Sequence, residues 1–370
     1  MPSNIVLNAL TEPPIRSMVS PIISTNVDKR GGFRNVSGNS PVEMIFSEDF
    51  SSQPLWVGIN PDGSRNATPT NWTNFRSSEQ LYAPSTGYPG KHETMEIVDD
   101  AGDIGNRALR GWREADDTQN PGLWNSDAIL TKRLPGDGLN EVYVKFRFKL
   151  QPGWTVTSGV GKLFRISHKK EGFPEYGYGT KPEYGHGPMY IWDGLGGEGD
   201  YGFRNVTALR GYPNETNYFM GEQSPQQLPR NMTMGDLSLN WGVNVTDLNG
   251  DGIHENAPYP SVIDGSPVGD IATVAETLGI DTWVTAEFYF KMNSAPGVAD
   301  GAVKQWINGH LCFSNDVMPW CASSAAEVVK WNTVSFGGNH YWAAYPAVDA
   351  VEEWYVIDDI EIHNGLPEGI

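Results

Sequence analysis

DTWVTAEFYFKMN (281–293), DGAVKQWINGHLCF (300–313), WNTVSFGGNHYWA (331–343) and EEWYVIDDIEI (352–362) follow one another through the last quarter of the chain. Each alternates apolar with polar side chains. A half-buried strand demands that alternation, because successive side chains leave opposite faces of a sheet. Ser294-Ala295-Pro296-Gly297, Asn308-Gly309 and Gly337-Gly338 break the runs with turn residues. Consecutive short strands, each with one apolar face, predict an all-β antiparallel sandwich with long loops and few helices.

The same reading extends upstream. EVYVKFRFKL (141–150) puts Val142, Val144, Phe146, Phe148 and Leu150 on one face and Tyr143, Lys145, Arg147 and Lys149 on the other. HETMEIV (92–98), NRALRGW (106–112) and SDAILTKRL (126–134) read as further short strands, and PVEMIFSEDFSS (41–52) opens the body. The sandwich is therefore expected over 43–370 as one domain. Residues 1–42 lack a sustained period and are read as an arm that packs on the body or on a neighbouring copy, or as a disordered tail. Between 170 and 275 the pattern dissolves into Gly, Pro, Tyr and Asn, the kind of loop region in which sandwiches build binding surfaces. The best helix candidate is IATVAETLG (271–279).

The formal charge of −19 sets the general surface against nucleic acid and anionic membranes, so an anionic substrate must meet a local basic cluster. No run reaches the roughly 18 apolar residues of a membrane span, and MPSNIVLNALTEPP lacks the features of a signal peptide. Scarce Lys, abundant Gly, Asn and Trp, and N-x-S/T triplets beginning at Asn35, Asn66, Asn71, Asn205, Asn214, Asn231 and Asn244 fit an extracellular or virion-associated protein. Cys312 and Cys321 either close a disulfide or remain two thiols.

A Trp-led strand, a Pro-Gly loop, Trp-x-Asn-Gly, Phe-Gly-Gly and a closing hydrophobic-Asp-Asp-Ile strand occur here in order. In that order the chain resembles the concanavalin A-like jelly rolls of polysaccharide lyases, and most of all the alginate and glucuronan lyases of families 14 and 20. GVGKLFRISH (159–168) stands where those families place a Gly-Lys-Leu element, though the Pro-Gly-Leu that follows there is absent. The resemblance covers roughly residues 43–365. It implies a jelly-roll sandwich that binds an acidic polysaccharide on a concave sheet and cleaves at a uronate by β-elimination. That chemistry needs a cation or amide to neutralise the carboxylate, a base to remove the neighbouring proton and an acid for the leaving oxygen.

Residues suited to these roles fall in three clusters. Lys162, Arg165 and His168 lie on one strand. Strict alternation puts Lys162 and His168 on one face and Arg165 on the other, and the resemblance at Lys162 favours the Lys162/His168 face. EYGHGPMYIWDG (183–194) supplies His186, Tyr190 and Trp192, the indole as a platform for a sugar ring and the phenol as acid or base. GGNHYWAA (337–344) supplies His340 and Tyr341. Trp306 and Asn308 share a strand face as further sugar contacts, and Lys145 and Arg147 are read as extending a basic groove.

DLNGDGIHE (247–255) carries the strongest metal signal: Asp247, Asn249 and Asp251 at alternate positions, Gly252 at the sharp turn and Glu255 beyond. It is read as a structural Ca2+ loop. Asp358 and Asp359, with Glu48 or Asp49, form a weaker second candidate. A glycoside hydrolase of this fold would need two carboxylates about 5–10 Å apart, presented as E-x-D-x-E or E-x-D-x-x-E on one strand, and no strand here shows that pattern. The remaining competitor is a non-catalytic carbohydrate-binding or structural jelly roll.

Overall fold

A computed structural model describes residues 41–60, 62, 64–77, 95–100, 103–113, 126–152, 160–170, 187–195, 204–212, 243–244, 262–263, 266–267, 281–341 and 353–370. The larger sheet runs β16 (His310–Met318), β15 (Gly301–Ile307), β14 (Val284–Lys291), β7 (Glu141–Leu150), β18 (Glu353–His363), β5 (Asp103–Arg113), β4 (Met95–Asp100) and β2 (Trp56–Val57). A ninth strand, β1 (Met44–Glu48), also pairs with β18. The smaller sheet runs β11 (Val243–Asn244), β10 (Arg204–Arg210), β9 (Met189–Leu195), β8 (Val160–Ser167), β17 (Thr333–Tyr341), β6 (Ser126–Arg133) and β3 (Asn74–Ser77). A two-stranded ribbon joins β12 (Val262–Ile263) to β13 (Ser266–Pro267). Every one of these ladders is antiparallel, so the architecture is a β-sandwich.

The apolar face of β7 packs inward as its alternation requires, with Val142, Val144, Phe146, Phe148 and Leu150 all buried. Phe164 and Phe336 from the smaller sheet meet Phe146 and Phe288 from the larger, the Phe164–Phe288 rings stacking at 4.7 Å. Burying a ring of this size removes on the order of 2–3 kcal/mol of unfavourable hydration. This aromatic layer holds the two sheets together.

The stretch 300–313 differs from a single strand. Asn308 (φ 50°) and Gly309 (φ 76°) form a tight turn between β15 and β16, the left-handed pair that a two-residue hairpin requires. Gly337-Gly338 does the opposite of what a turn would do and lies inside β17. Cys321 is a free, buried thiol, pushed up to about 11 by burial, so no disulfide joins it to Cys312. Among the described residues no helix is long and apolar enough to cross a membrane.

Candidate active site on the smaller sheet

The register of β8 slips against both of its neighbours. Against β9, Phe164 pairs with Trp192 but Lys162 pairs with Asp193, which leaves Leu163 as an extra residue. Against β17, Phe336 pairs with Phe164 and His340 with Gly161, and the inserted residue falls beside Gly337 at φ 83°. A glycine in the left-handed region is what such a bulge uses. The bulge resets the alternation, so Leu163 and Phe164 both join the core. Lys162 and Arg165 consequently share the outward face of the sheet, contrary to strict alternation.

Their proximity is visible at Gly338. A Cβ on Gly338 would stand 2.6 Å from Arg165 Nη2 and 2.7 Å from Lys162 Cβ, which puts those atoms within about 5 Å of each other. Arg165 pairs across the ladder with Ser335, whose hydroxyl is hydrogen-bonded to Thr131 Oγ1 at 3.1 Å. Ser167 and Thr333 continue the same face two pairs further along. Lys162 is 5% exposed and Arg165 7%, so two cations sit nearly out of water on a polar sheet face. In a chain of net charge −19, that is a local environment suited to an anionic group.

His168 is not part of this cluster. It follows the end of β8, six residues and roughly 15–20 Å along the strand from Lys162. Its Nδ1 donates to the Lys330 carbonyl (3.0 Å), and Asn332 organises the same corner by accepting from the Lys169 amide at 2.8 Å. Burial holds the imidazole below its ordinary range, and the Arg133 and Lys169 charges push the same way. Tyr190 and Trp192 are corrected more sharply. They share a face, but it is the core face: Tyr190 meets Phe290 at 4.8 Å and Trp192 meets Phe148 at 5.1 Å, both partners belonging to the larger sheet. A ring packed between two sheets is no platform for a sugar. The residues of β9 that alternate outward are Met189 and Ile191.

Trp306, Lys145 and Arg147 belong to the larger sheet and its outer face. Trp306 is buried with Tyr143, Tyr289 and Ala302. Lys145 Nζ is 3.2 Å from Glu361, while Arg147 Nε is 2.7 Å from Asp359 and its guanidinium lies over Trp283. These cations are neutralised in cross-strand pairs and do not extend the Lys162/Arg165 cluster, which the other sheet carries. Asn308 is a turn residue whose Oδ1 accepts the Thr285 amide (2.9 Å).

His340 and Tyr341 end β17, their backbones paired with Gly161 and Val160, next to Lys162 in the ladder. His186 and the loop Asp247, Asn249, Asp251 and Glu255 lie outside the described residues. Among the described residues no cluster of three or more metal-ligating side chains occurs. Glu48 is taken up elsewhere, accepting from the Phe50 amide, Gln53 Nε2 and Trp72 Nε1. Asp358 and Asp359 share Arg147 instead. The sequence reading passed over Thr131, Ser167 and Ser335 and took Gly337-Gly338 as a turn. A glycine pair within an otherwise alternating strand is the signal that marks the bulge bringing them to the site.

No family model matches this sequence, and no curated protein matches it. Among solved structures, an endo-β-1,4-glucuronan lyase from the fungus Trichoderma reesei is similar at 12% identity and a TM-score of 0.40, covering 86% of this chain and 95% of that one. The family 14 alginate lyase from Aplysia kurodai is similar at 11% identity and a TM-score of 0.39, over 73% and 86% of the two chains. An alginate lyase from Chlorella virus is similar at 13% identity and a TM-score of 0.38, over 72% and 88%.

Proposed function

We propose that this chain is a polysaccharide lyase that cleaves a uronate-containing polysaccharide by β-elimination on the outward face of the smaller sheet. The observation that carries the reading is that Arg165 Nη2 and the Lys162 Cβ both lie against Gly338. A uronate carboxylate placed against these two cations has its charge offset, which acidifies the carbon–hydrogen bond next to it. A base takes that proton, the electron pair forms the new double bond, and the glycosidic bond at the β carbon breaks toward its oxygen, which an acid protonates. The two proton transfers are assigned to His340 and Tyr341, whose backbones pair with Gly161 and Val160. Calcium in the 247–255 loop is structural in this scheme, and the protein acts outside the cell or on a virion.

A second reading is favoured by one specific finding: the phenol of Tyr190 is in the core and His168 is at the far strand end. A chain lacking a proton-transfer pair would be a non-catalytic carbohydrate-binding or structural jelly roll. Incubation with alginate, glucuronan and other polyuronates, with calcium and with a chelator, separates the two. The lyase produces the ultraviolet absorbance of a conjugated unsaturated uronate, and chelation lowers the melting temperature. Arg165→Ala and Lys162→Ala each reduce turnover by about 100-fold or more without unfolding, a loss of roughly 3 kcal/mol of transition-state stabilisation. Tyr190→Phe keeps turnover. Sugar binding without absorbance on any substrate selects the binding protein.

A further inference from the structure

We propose that Gly338 is a positioning residue, its missing side chain being the seat of the Arg165 guanidinium. The inference rests on the reading of this face as the site. Two adjacent glycines stand in β17, and they are glycine for different reasons. Gly337 has φ 83°, so its backbone conformation favours glycine whatever its surroundings. Gly338 has no positive φ, so an L-residue can adopt its backbone. What requires glycine at 338 comes from across the ladder: a Cβ there would be 2.6 Å from Arg165 Nη2, 2.7 Å from Lys162 Cβ and 2.9 Å from the Lys162 carbonyl oxygen, all closer than the 3.0 Å that real Cβ atoms keep.

Strand β17 has no room to relieve the crowding by sinking toward the core. Beneath it, a Cβ at Gly337 would already be 2.6 Å from Met95 Cε and 3.2 Å from the hydroxyl of Tyr355, a fully buried ring on β18. A side chain at 338 therefore displaces what lies above the sheet. The guanidinium, at the end of a flexible side chain, is the easiest of the three to move, while Lys162 Cβ and the Lys162 carbonyl oxygen give only if the β8 backbone shifts. Gly338 thus sets where the positive charge of Arg165 lies relative to Lys162.

The test is Gly338→Ala, read three ways: kinetics on a uronate polymer, thermal unfolding, and the side-chain nitrogen resonances of arginine-labelled protein, with Arg165→Lys identifying the Arg165 signal. The expected result is a shifted Arg165 resonance and a kcat/KM reduced about tenfold or more. In an Arg165→Ala background, Gly338→Ala lowers kcat/KM by less than it does in the wild type, since the guanidinium is gone and only the contacts with Lys162 Cβ and the Lys162 carbonyl oxygen remain. An unmoved Arg165 resonance, or equal losses with and without Arg165, overturns the proposal. If Gly338→Ala does not fold, recovery of folding in Gly338→Ala/Arg165→Ala supports the seat, and failure of the double variant overturns it. If the wild type degrades no uronate polymer, the lyase reading falls while the resonance still decides the seating.

Discussion

Asp358 is 1% exposed on β18, its Oδ1 accepting the Asp359 amide at 2.8 Å and its Oδ2 3.5 Å from Arg147. Burial pushes its carboxyl up to about 7, with the Asp359 and Asp49 charges adding to the rise against the Asp359 amide and Arg147. The sign follows from an acid whose folded value exceeds its unfolded one. Below about pH 4 both states are protonated and the group is neutral to stability. As pH rises toward 7 the unfolded chain ionises first, so stability falls, and above about 7 the full cost stays in place. Asp358→Asn keeps the acceptor for Asp359 and removes the charge. It should raise stability by about 2 kcal/mol at pH 8 and by nothing at pH 4, checked by denaturant unfolding at the two pH values. A gain independent of pH would mean that packing, not ionisation, governs this residue. At this scale the sequence reading drew Lys162, Arg165 and His168 from one predicted strand, 159–168, which holds β8. It grouped Lys162 with His168 because one inserted residue changes which neighbours share a face, and composition does not reveal an insertion.

The paired bulges of β8 and β17 are the element on which the site depends. Gly337 sits in the left-handed region, and a Cβ there would meet the Ala128 carbonyl oxygen at 2.4 Å. Gly337→Ala therefore combines backbone strain with a main-chain clash and should cost about 2 kcal/mol or more, measured by thermal or denaturant unfolding. Gly338→Ala, whose conflict is first with a side chain, should cost less. If the two variants lose stability equally, the bulge does not rest on Gly337. Strands were the most legible elements: β7 has the bounds its alternation predicts, β17 and β18 fall within about two residues of theirs and β14 within about three. β10 was not anticipated, because its ladder partner β9 supplies the order that its own sequence lacks. Asn308-Gly309, read from sequence as a turn that breaks the run, is the turn of the β15–β16 hairpin, although 300–313 reads as one segment across it.

Across the whole molecule, a net charge of −19 faces two nearly buried cations at one locus. The surface repulsion acts at long range and is screened by salt over about 8–10 Å, while contacts within the site are screened far less. Moderate salt should therefore speed association of a uronate oligomer, as measured by stopped flow, because it removes the repulsion that the oligomer meets on approach. A rate that falls steadily from the lowest salt would mean that the local cations already dominate at a distance.

Alternation alone pointed to a sandwich, to strands such as β7, β14, β17 and β18 and to which face of β7 is buried, because a period of two is a local consequence of the pleat. Only the tertiary structure decided which sheet a strand joins and where an extra residue reverses its phase. Those facts moved Trp306, Lys145 and Arg147 to the far sheet, drew Tyr190 and Trp192 into the core and brought Arg165 beside Lys162. Pairing is a relation between strands distant in sequence, and neither its register nor its slips are written in either strand by itself.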